Sequence, residues 1–246
     1  MAEIVSVISG KGGTGKTSLC AAVASCLAAG GSRVLCIDAD VGLRNLDISL
    51  GMSDEPILPF TAVMRGEYPL EKAAVHPQLS SLSILTAPIT ESAESLDGGQ
   101  FAQLLRQAEE RFEWIFIDAP AGIGAGFRLA TGQAGRAIVV AGSDPASLRD
   151  AARATDVLLS DRPELETQLV VNRVSPALYR RMQATVDDVM DGVGLPLLGI
   201  VPEDSSVTLA AAKGVPLPLY STKGAAHACR NIARRLCGQK VPLLLY

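Results

Sequence analysis

Gly10-Lys11-Gly12-Gly13-Thr14-Gly15-Lys16-Thr17 follows directly on the apolar run Ile4-Val5-Ser6-Val7-Ile8. A strand that empties into a glycine-rich loop ending in Gly-Lys-Thr is suited to hold phosphate. The glycines at 10, 12, 13 and 15 allow backbone conformations that a Cβ resists. Several backbone N–H groups can then turn inward around an anion. A helix starting near Lys16 adds the positive end of its dipole. In the pattern G-x-x-x-x-G-K-[ST], matched here in full, Lys16 reaches the β- and γ-phosphates and the Thr17 hydroxyl ligates Mg²⁺. The nucleotide-contacting set runs on into Ser18. A glycine-rich loop on its own can be only a tight turn; the strand–loop–helix setting favours the phosphate loop. Lys11 is harder to place, because a side chain there does not easily fold back onto the β-phosphate of its own loop. The usual fate of such a lysine is a solvated surface charge.

Outward from the loop, strand-like and helix-like runs alternate. The strands expected are Ile4–Ser9, Arg33–Asp38, Leu82–Thr86, Trp114–Asp118, Arg136–Ala141, Gln168–Asn172 and Leu197–Val201. They are short and continuously apolar, the mark of parallel strands buried on both faces. Helices are expected over Lys16–Ala29, which stops at Gly30-Gly31, and over Asp97–Arg111, Asp144–Leu159, Ser175–Asp191 and Thr222–Cys237. Met52–Pro59 is the most irregular stretch. The alternation predicts an α/β fold, a doubly wound and mostly parallel sheet flanked by helices. Residues 1–246 are expected to form a single P-loop ATPase domain.

Ligands of such sheets bind at the carboxyl ends of the strands, and the acidic candidates fall there. Ile115-Phe116-Ile117-Asp118 has the form of a Walker B strand, whose aspartate can accept a hydrogen bond from a Mg²⁺-bound water. Ala119-Pro120-Ala121-Gly122-Ile123-Gly124 beyond it is small and turn-rich, able to move with a γ-phosphate. Asp38 and Asp40, one residue apart at a strand end, can serve one metal–water network. Asn172, ending the strand in Val170-Val171-Asn172-Arg173, carries an amide that can pair with an adenine edge.

The form Lys-Gly-Gly-Thr-Gly-Lys-Thr at 11–17 resembles the deviant phosphate loop of the MinD/ParA family of ATPases. Asp38-Ala39-Asp40-Val41-Gly42-Leu43-Arg44-Asn45-Leu46-Asp47 resembles the switch I string of the MinD branch of that family. The likeness extends from Ile4 to about Leu236. It implies a SIMIBI-type P-loop NTPase that hydrolyses ATP with Mg²⁺. It implies that Lys11 crosses a dimer interface to the partner's nucleotide, and that Lys11 and Lys16 are catalytic with Asp40, which positions the attacking water. Phosphoryl transfer needs mainly positioning and charge stabilisation, so a strong base is unnecessary. Thr17, Asp38 and Asp118 are implied around the metal. Asn172 and Arg173, with the Pro202-Glu203-Asp204 loop, are implied beside the base. Ser147-Leu148-Arg149-Asp150 is implied near the dimer and partner surface, against the alternative of a solvated helix face.

The implied function is an ATP-dependent dimerisation switch for division-site placement, with a division inhibitor or activator as partner. Flagellar or chromosome positioning, a metal-cluster carrier, and a biosynthetic ligase of the same fold are the alternatives. A carrier needs cysteines at a dimer seam, and Cys20, Cys26, Cys36, Cys229 and Cys237 contain no C-x-x-C pair. Neither His76 nor His227 has a partner at ligand spacing. A net charge of −4 argues against broad or sequence-specific nucleic-acid binding. With 48% apolar but only 4% aromatic residues, the core is expected to be aliphatic. No signal peptide or spanning run is read, so a cytoplasmic location is expected, with peripheral contact at the inner face of the membrane left open. The family continues with a basic amphipathic helix, expected here to be absent after Val241-Pro242-Leu243-Leu244-Leu245-Tyr246. Three leucines, at about 1.5–3 kcal/mol each when fully buried, would not anchor a chain stably without dimerisation.

Overall fold

A computed structural model describes residues 2–175 and 186–243. Eight strands form one sheet in the order β3-β4-β2-β5-β1-β6-β7-β8. They are β1 (Glu3–Ile8), β2 (Val34–Asp38), β3 (Ala74–Val75), β4 (Leu82–Leu85), β5 (Trp114–Asp118), β6 (Arg136–Ala141), β7 (Glu166–Val174) and β8 (Leu197–Pro202). All neighbours run parallel except β3, which pairs antiparallel with β4. The seven expected strands are present with ends shifted by up to two residues.

The period of two along each strand divides the core. Val5, Val7, Cys36 and Phe116 face α1 (Lys16–Ala29) and the last helix. Ile4, Ile8, Leu35, Ile37, Ile115 and Ile117 face the opposite layer. That layer includes α4 (Gly98–Glu109), α5 (Ala125–Thr131), α6 (Pro145–Asp161) and α7 (Val186–Val193). Buried on several sides, α1 makes close approach possible through its alanines. Short helices α2 (Leu46–Leu50) and α3 (Phe60–Met64) follow β2. After β8 come α8 (Ser205–Ala212), α9 (Leu217–Tyr220) and α10 (Gly224–Leu236). A Cβ on Gly199 of β8 would sit 2.6 Å from Cγ1 of Ile232, so α10 lies close on the sheet.

The expected helix Ser175–Asp191 differs: Ser175 is not helical, α7 covers Val186–Val193, and 176–185 lie outside the described residues. The C-terminal helix is shorter than expected because the Asp204 carboxylate accepts the Ala225 N–H, fixing the start at Gly224. Gln239–Leu243 is non-helical where described; Arg235 donates to the carbonyls of Leu198, Val241 and Pro242 and ties this segment to β8.

His76 is structural. It is buried; Nδ1 accepts the N–H groups of Gln78 and Leu79, so Nε2 carries the proton and donates to Leu50 O at 2.9 Å. Burial holds its pKa below the ordinary value. The unfolded chain therefore takes up a proton near pH 6.5 that the folded chain refuses. Stability contributed by His76 is full above that pH and is lost as pH falls toward the lower folded pKa. Urea unfolding at pH 7.5 and 5.5 should show this loss. In His76→Asn the slope should flatten, with about 0.5–1.5 kcal/mol lost at pH 7.5 from the missing bond to Leu50. An unchanged slope would contradict this account.

Candidate functional site

The carboxyl ends of β1, β2 and β5 meet at the glycine loop. Gly13 and Gly15 adopt φ of 81° and 82°, in the left-handed region. A Cβ on Gly10 would overlap the carbonyl of Asp150 in α6, and one on Gly15 would overlap Nδ2 of Asn172. These two contacts press the loop between α6 and β7 and leave no room for side chains.

Under the loop, Lys16 Nζ lies 2.6 Å from Asp118 Oδ1, and the two side chains are 6% and 1% exposed. Burial raises the Asp118 pKa; the Lys16 charge and hydrogen bonds from Lys16 and Thr17 oppose it, while the Asp40 charge adds to the rise. Asp118 Oδ2 is buried with no hydrogen-bond partner. Asp40 is half-buried, its pKa raised by burial against the pull of Lys16. Asp38 pairs in register with Asp118 across the β2–β5 ladder but is used differently. Its Oδ1 accepts the Asp40 N–H at 3.0 Å, and its Oδ2 accepts those of Asn45 and Leu46 at 3.0 and 3.1 Å. Burial pushes its carboxyl up to about 6, the Asp118 charge adds, and the three N–H groups oppose. Both Asp38 oxygens thus accept N–H groups of the following loop, beside the metal role that the resemblance implies for this residue. Arg44 (φ 39°) pairs with Asp47 at 2.8 Å within that loop.

Lys11 points elsewhere. Its amine lies 3.0 Å from Asp144 Oδ1, with side chains 34% and 56% exposed. Asp144 also caps α6 by accepting the Ser147 N–H. Asp144 escaped the sequence reading because its partner is 133 residues away; its only local signal was an N-cap aspartate followed by Pro145.

Beside the loop, a cavity of ≈ 480 Å³ opens between Gly15 and Ser18 on one side and Asn172, Pro202 and Glu203 on the other. Asn172 donates to Thr14 O at 2.8 Å. Arg173 donates to Gly13 O and pairs with Glu203, each at 3.2 Å. The Asp204 side chain caps α8 through Ser206 N and holds Ala225 N, so it is a brace of the cavity. The apolar walls, Leu19, Leu217, Ala225 and Cys229, come from α1, α9 and α10 and form no motif the sequence could display.

Residues 5–217 match the family described as the CobQ/CobB/MinD/ParA nucleotide binding domain. The septum site-determining protein MinD of Synechocystis is 38% identical over 99% of this chain and 92% of its own length. The chain belongs to the MinD family. Members of this family are ATPases of division-site placement, and this chain is a MinD-type ATPase. Among solved structures, MinD in the MinC:MinD complex of Aquifex aeolicus superposes with a TM-score of 0.91 at 32% identity, covering 100% of this chain and 99% of that one. MinD of Pyrococcus horikoshii, solved with Mg-ADP, gives 0.83 at 27% identity, covering 96% of each.

The MinD-type site fits a magnesium nucleotide. The orphaned Asp118 oxygen, the Thr17 hydroxyl and Asp40 are hard oxygen donors of the kind Mg²⁺ takes. Among the described residues no three His, Cys, Asp or Glu side chains are grouped to hold a metal by themselves. A Mg²⁺ here would draw its other ligands from phosphate and water, as it does at nucleotide sites.

Proposed function

We propose that this MinD-family chain is an ATP-driven dimerisation switch, in which two copies enclose two nucleotides and the closed pair engages a division-inhibitor partner. The observation that supports it is the orientation of the two loop lysines. Lys16 lies buried under its own cradle, whereas Lys11 reaches outward to exposed Asp144. A cation on that outer side can serve a phosphate presented by a second copy. MinD of Aquifex aeolicus, solved in complex with MinC, supports the inhibitor as partner. The single eight-stranded sheet supports treating 1–246 as one ATPase domain.

In this reading the N–H groups of Gly10, Gly12, Gly13, Thr14 and Gly15 hold the phosphates, with those of Lys16, Thr17 and Ser18 at the start of α1. Lys16 leaves Asp118 to neutralise the β- and γ-oxygens, and Thr17 and Asp118 would hold the Mg²⁺. The metal supplies charge neutralisation across the transferring phosphoryl group. Asp40 orients the attacking water. Asn172 has already given one hydrogen to Thr14, and its remaining donor and acceptor face the choice of base edge, with Arg173 and the Pro202–Glu203 backbone alongside. All five cysteines are free, which suits a cytoplasmic location. Among the described residues no helix is long and apolar enough to cross a membrane; peripheral contact at its inner face remains part of the proposal.

Sedimentation with a non-hydrolysable ATP analogue and Mg²⁺ tests the switch. The native chain should double in mass. Lys11→Ala should stay monomeric while binding the analogue within about threefold of native, because Lys11 makes no contact with its own cradle. Nucleotide binding without dimer formation in the native chain would refute the reading.

A further inference from the structure

We infer that Asp38 is a positioning residue, a remote helix cap that closes the loop from β2 to α2 and sets Asp40. The local cap of α2 is vacant. Asn45 occupies the N-cap position, yet its side chain makes no cap hydrogen bond and is exposed. The first N–H groups of a helix need acceptors, and here the acceptor for Asn45 and Leu46 is Asp38 Oδ2, seven and eight residues upstream. The other oxygen, Oδ1, takes the Asp40 N–H. One fully buried carboxylate thus ties three points of the loop together.

These three hydrogen bonds have two consequences. The Asn45 amide is released from capping and stands free on the surface of the loop, available to a nucleotide or a partner. Asp38 and Asp118, side by side at adjacent strand ends, divide the work. Asp118 keeps an oxygen without a partner, whereas each Asp38 oxygen already accepts from backbone. The loop then carries Asp40 at a fixed place relative to the cradle. This last step rests on the ATPase reading above; the cap itself does not.

Hydrogen exchange on the nucleotide-free protein tests the cap. In Asp38→Asn the side chain can accept through one atom only and must turn an N–H toward the other donors. The amides of Asn45 and Leu46, or that of Asp40, should exchange at least tenfold faster. In Asn45→Ala, a surface change that leaves the buried carboxylate in place, the Leu46 amide should stay within twofold of native. Unchanged exchange in Asp38→Asn, or a tenfold loss of Leu46 protection in Asn45→Ala, would overturn the cap. Should Asp38→Asn fail to fold, the Asn45→Ala measurement decides alone.

The Mg²⁺ dependence of binding a fluorescent ADP analogue separates the cap from a metal ligand. Half-saturation should move less than threefold in Asp38→Asn and more than tenfold in Asp118→Asn. A tenfold shift in Asp38→Asn would return that residue to the metal. Turnover per bound nucleotide should fall at least tenfold in Asp38→Asn; unchanged turnover would remove the positioning role. A native chain that bound no nucleotide would refute the ATPase reading and leave the exchange result standing.

Discussion

Lys16→Met is expected to lower folding stability by about 3–5 kcal/mol in the absence of nucleotide, the usual result of removing one partner of a buried ion pair. Asp118 is 1% exposed and its Oδ2 has no hydrogen-bond partner, so Lys16 is the only cation beside it among the described contacts. The hydrogen bond from Thr17 offsets only part of the loss. Methionine fills most of the lysine volume, so the deficit reports charge rather than a cavity. Adding Asp118→Asn should restore stability relative to Lys16→Met alone, since the uncompensated charge disappears; residues in contact couple in this way. Urea unfolding of the two single variants and the double variant measures the coupling. A deficit below about 1 kcal/mol in Lys16→Met, or a double variant less stable than it, would contradict the pair. The same geometry bears on function. In the proposed reading, the lysine that turns to phosphate is held by the carboxylate that turns to the metal. Nucleotide and Mg²⁺ together would give each a new partner, whereas nucleotide alone would leave Asp118 without a cation. Binding without Mg²⁺ should therefore be weaker than the phosphate contacts alone would suggest.

The parallel strands were legible because each is a short aliphatic run, and both ends of α1 were legible because Gly15 and Gly30 bracket it. The phosphate loop was legible because its chemistry is local. The features that escaped are those made by distant or very short segments. β3 has two residues and reverses direction, and nothing in Ala74-Val75 announces a strand. The helices α2, α3 and α9 have four or five residues, too few for a period to show. α5 is seven residues starting in a glycine-rich turn that reads as loop. α8 starts at Ser205, just past the base loop, and Asp204 with Ser205-Ser206 gave a cap signal that the reading of Asp204 as a base neighbour obscured. In the site, residue types named the candidates and topology decided the pairs. Two aspartates one residue apart suggested a shared metal network; that the chain turns after β2 and folds its own amides onto Asp38 was not legible, because those amides lie two to eight residues downstream in no helical or strand pattern. Lys11 was expected to look outward; that it meets Asp144 depends on α6 starting beside the loop, a contact no window of sequence contains.

Asp40→Ala should reduce turnover by about 10²–10⁴-fold, the range for loss of a group that handles the reacting proton, and should preserve nucleotide binding. The Asp40 carboxylate makes no contact that holds the cradle; it is the Asp40 N–H that is engaged, and alanine keeps that N–H on Asp38. Lys16, Thr17 and Asp118 keep their arrangement, and removing a half-buried charge near them changes stability little. The dimer formed with ATP should then persist where the native dimer decays. Single-turnover measurement of phosphate release, with sedimentation in ATP, gives both quantities. A threefold or smaller loss of turnover would exclude Asp40 from the chemistry, and loss of ATP binding would mean that it belongs to the cradle. The comparison with Asp38→Asn sharpens the assignment. Both variants should slow hydrolysis, but only Asp38→Asn should loosen the amides at 45 and 46 in the nucleotide-free protein. If Asp40→Ala loosened them equally, the loop would be held by the Asp40 side chain through contacts the hydrogen bonds do not include. If neither did, the backbone of the loop would be self-supporting without either carboxylate, and the Asp38 cap would be refuted.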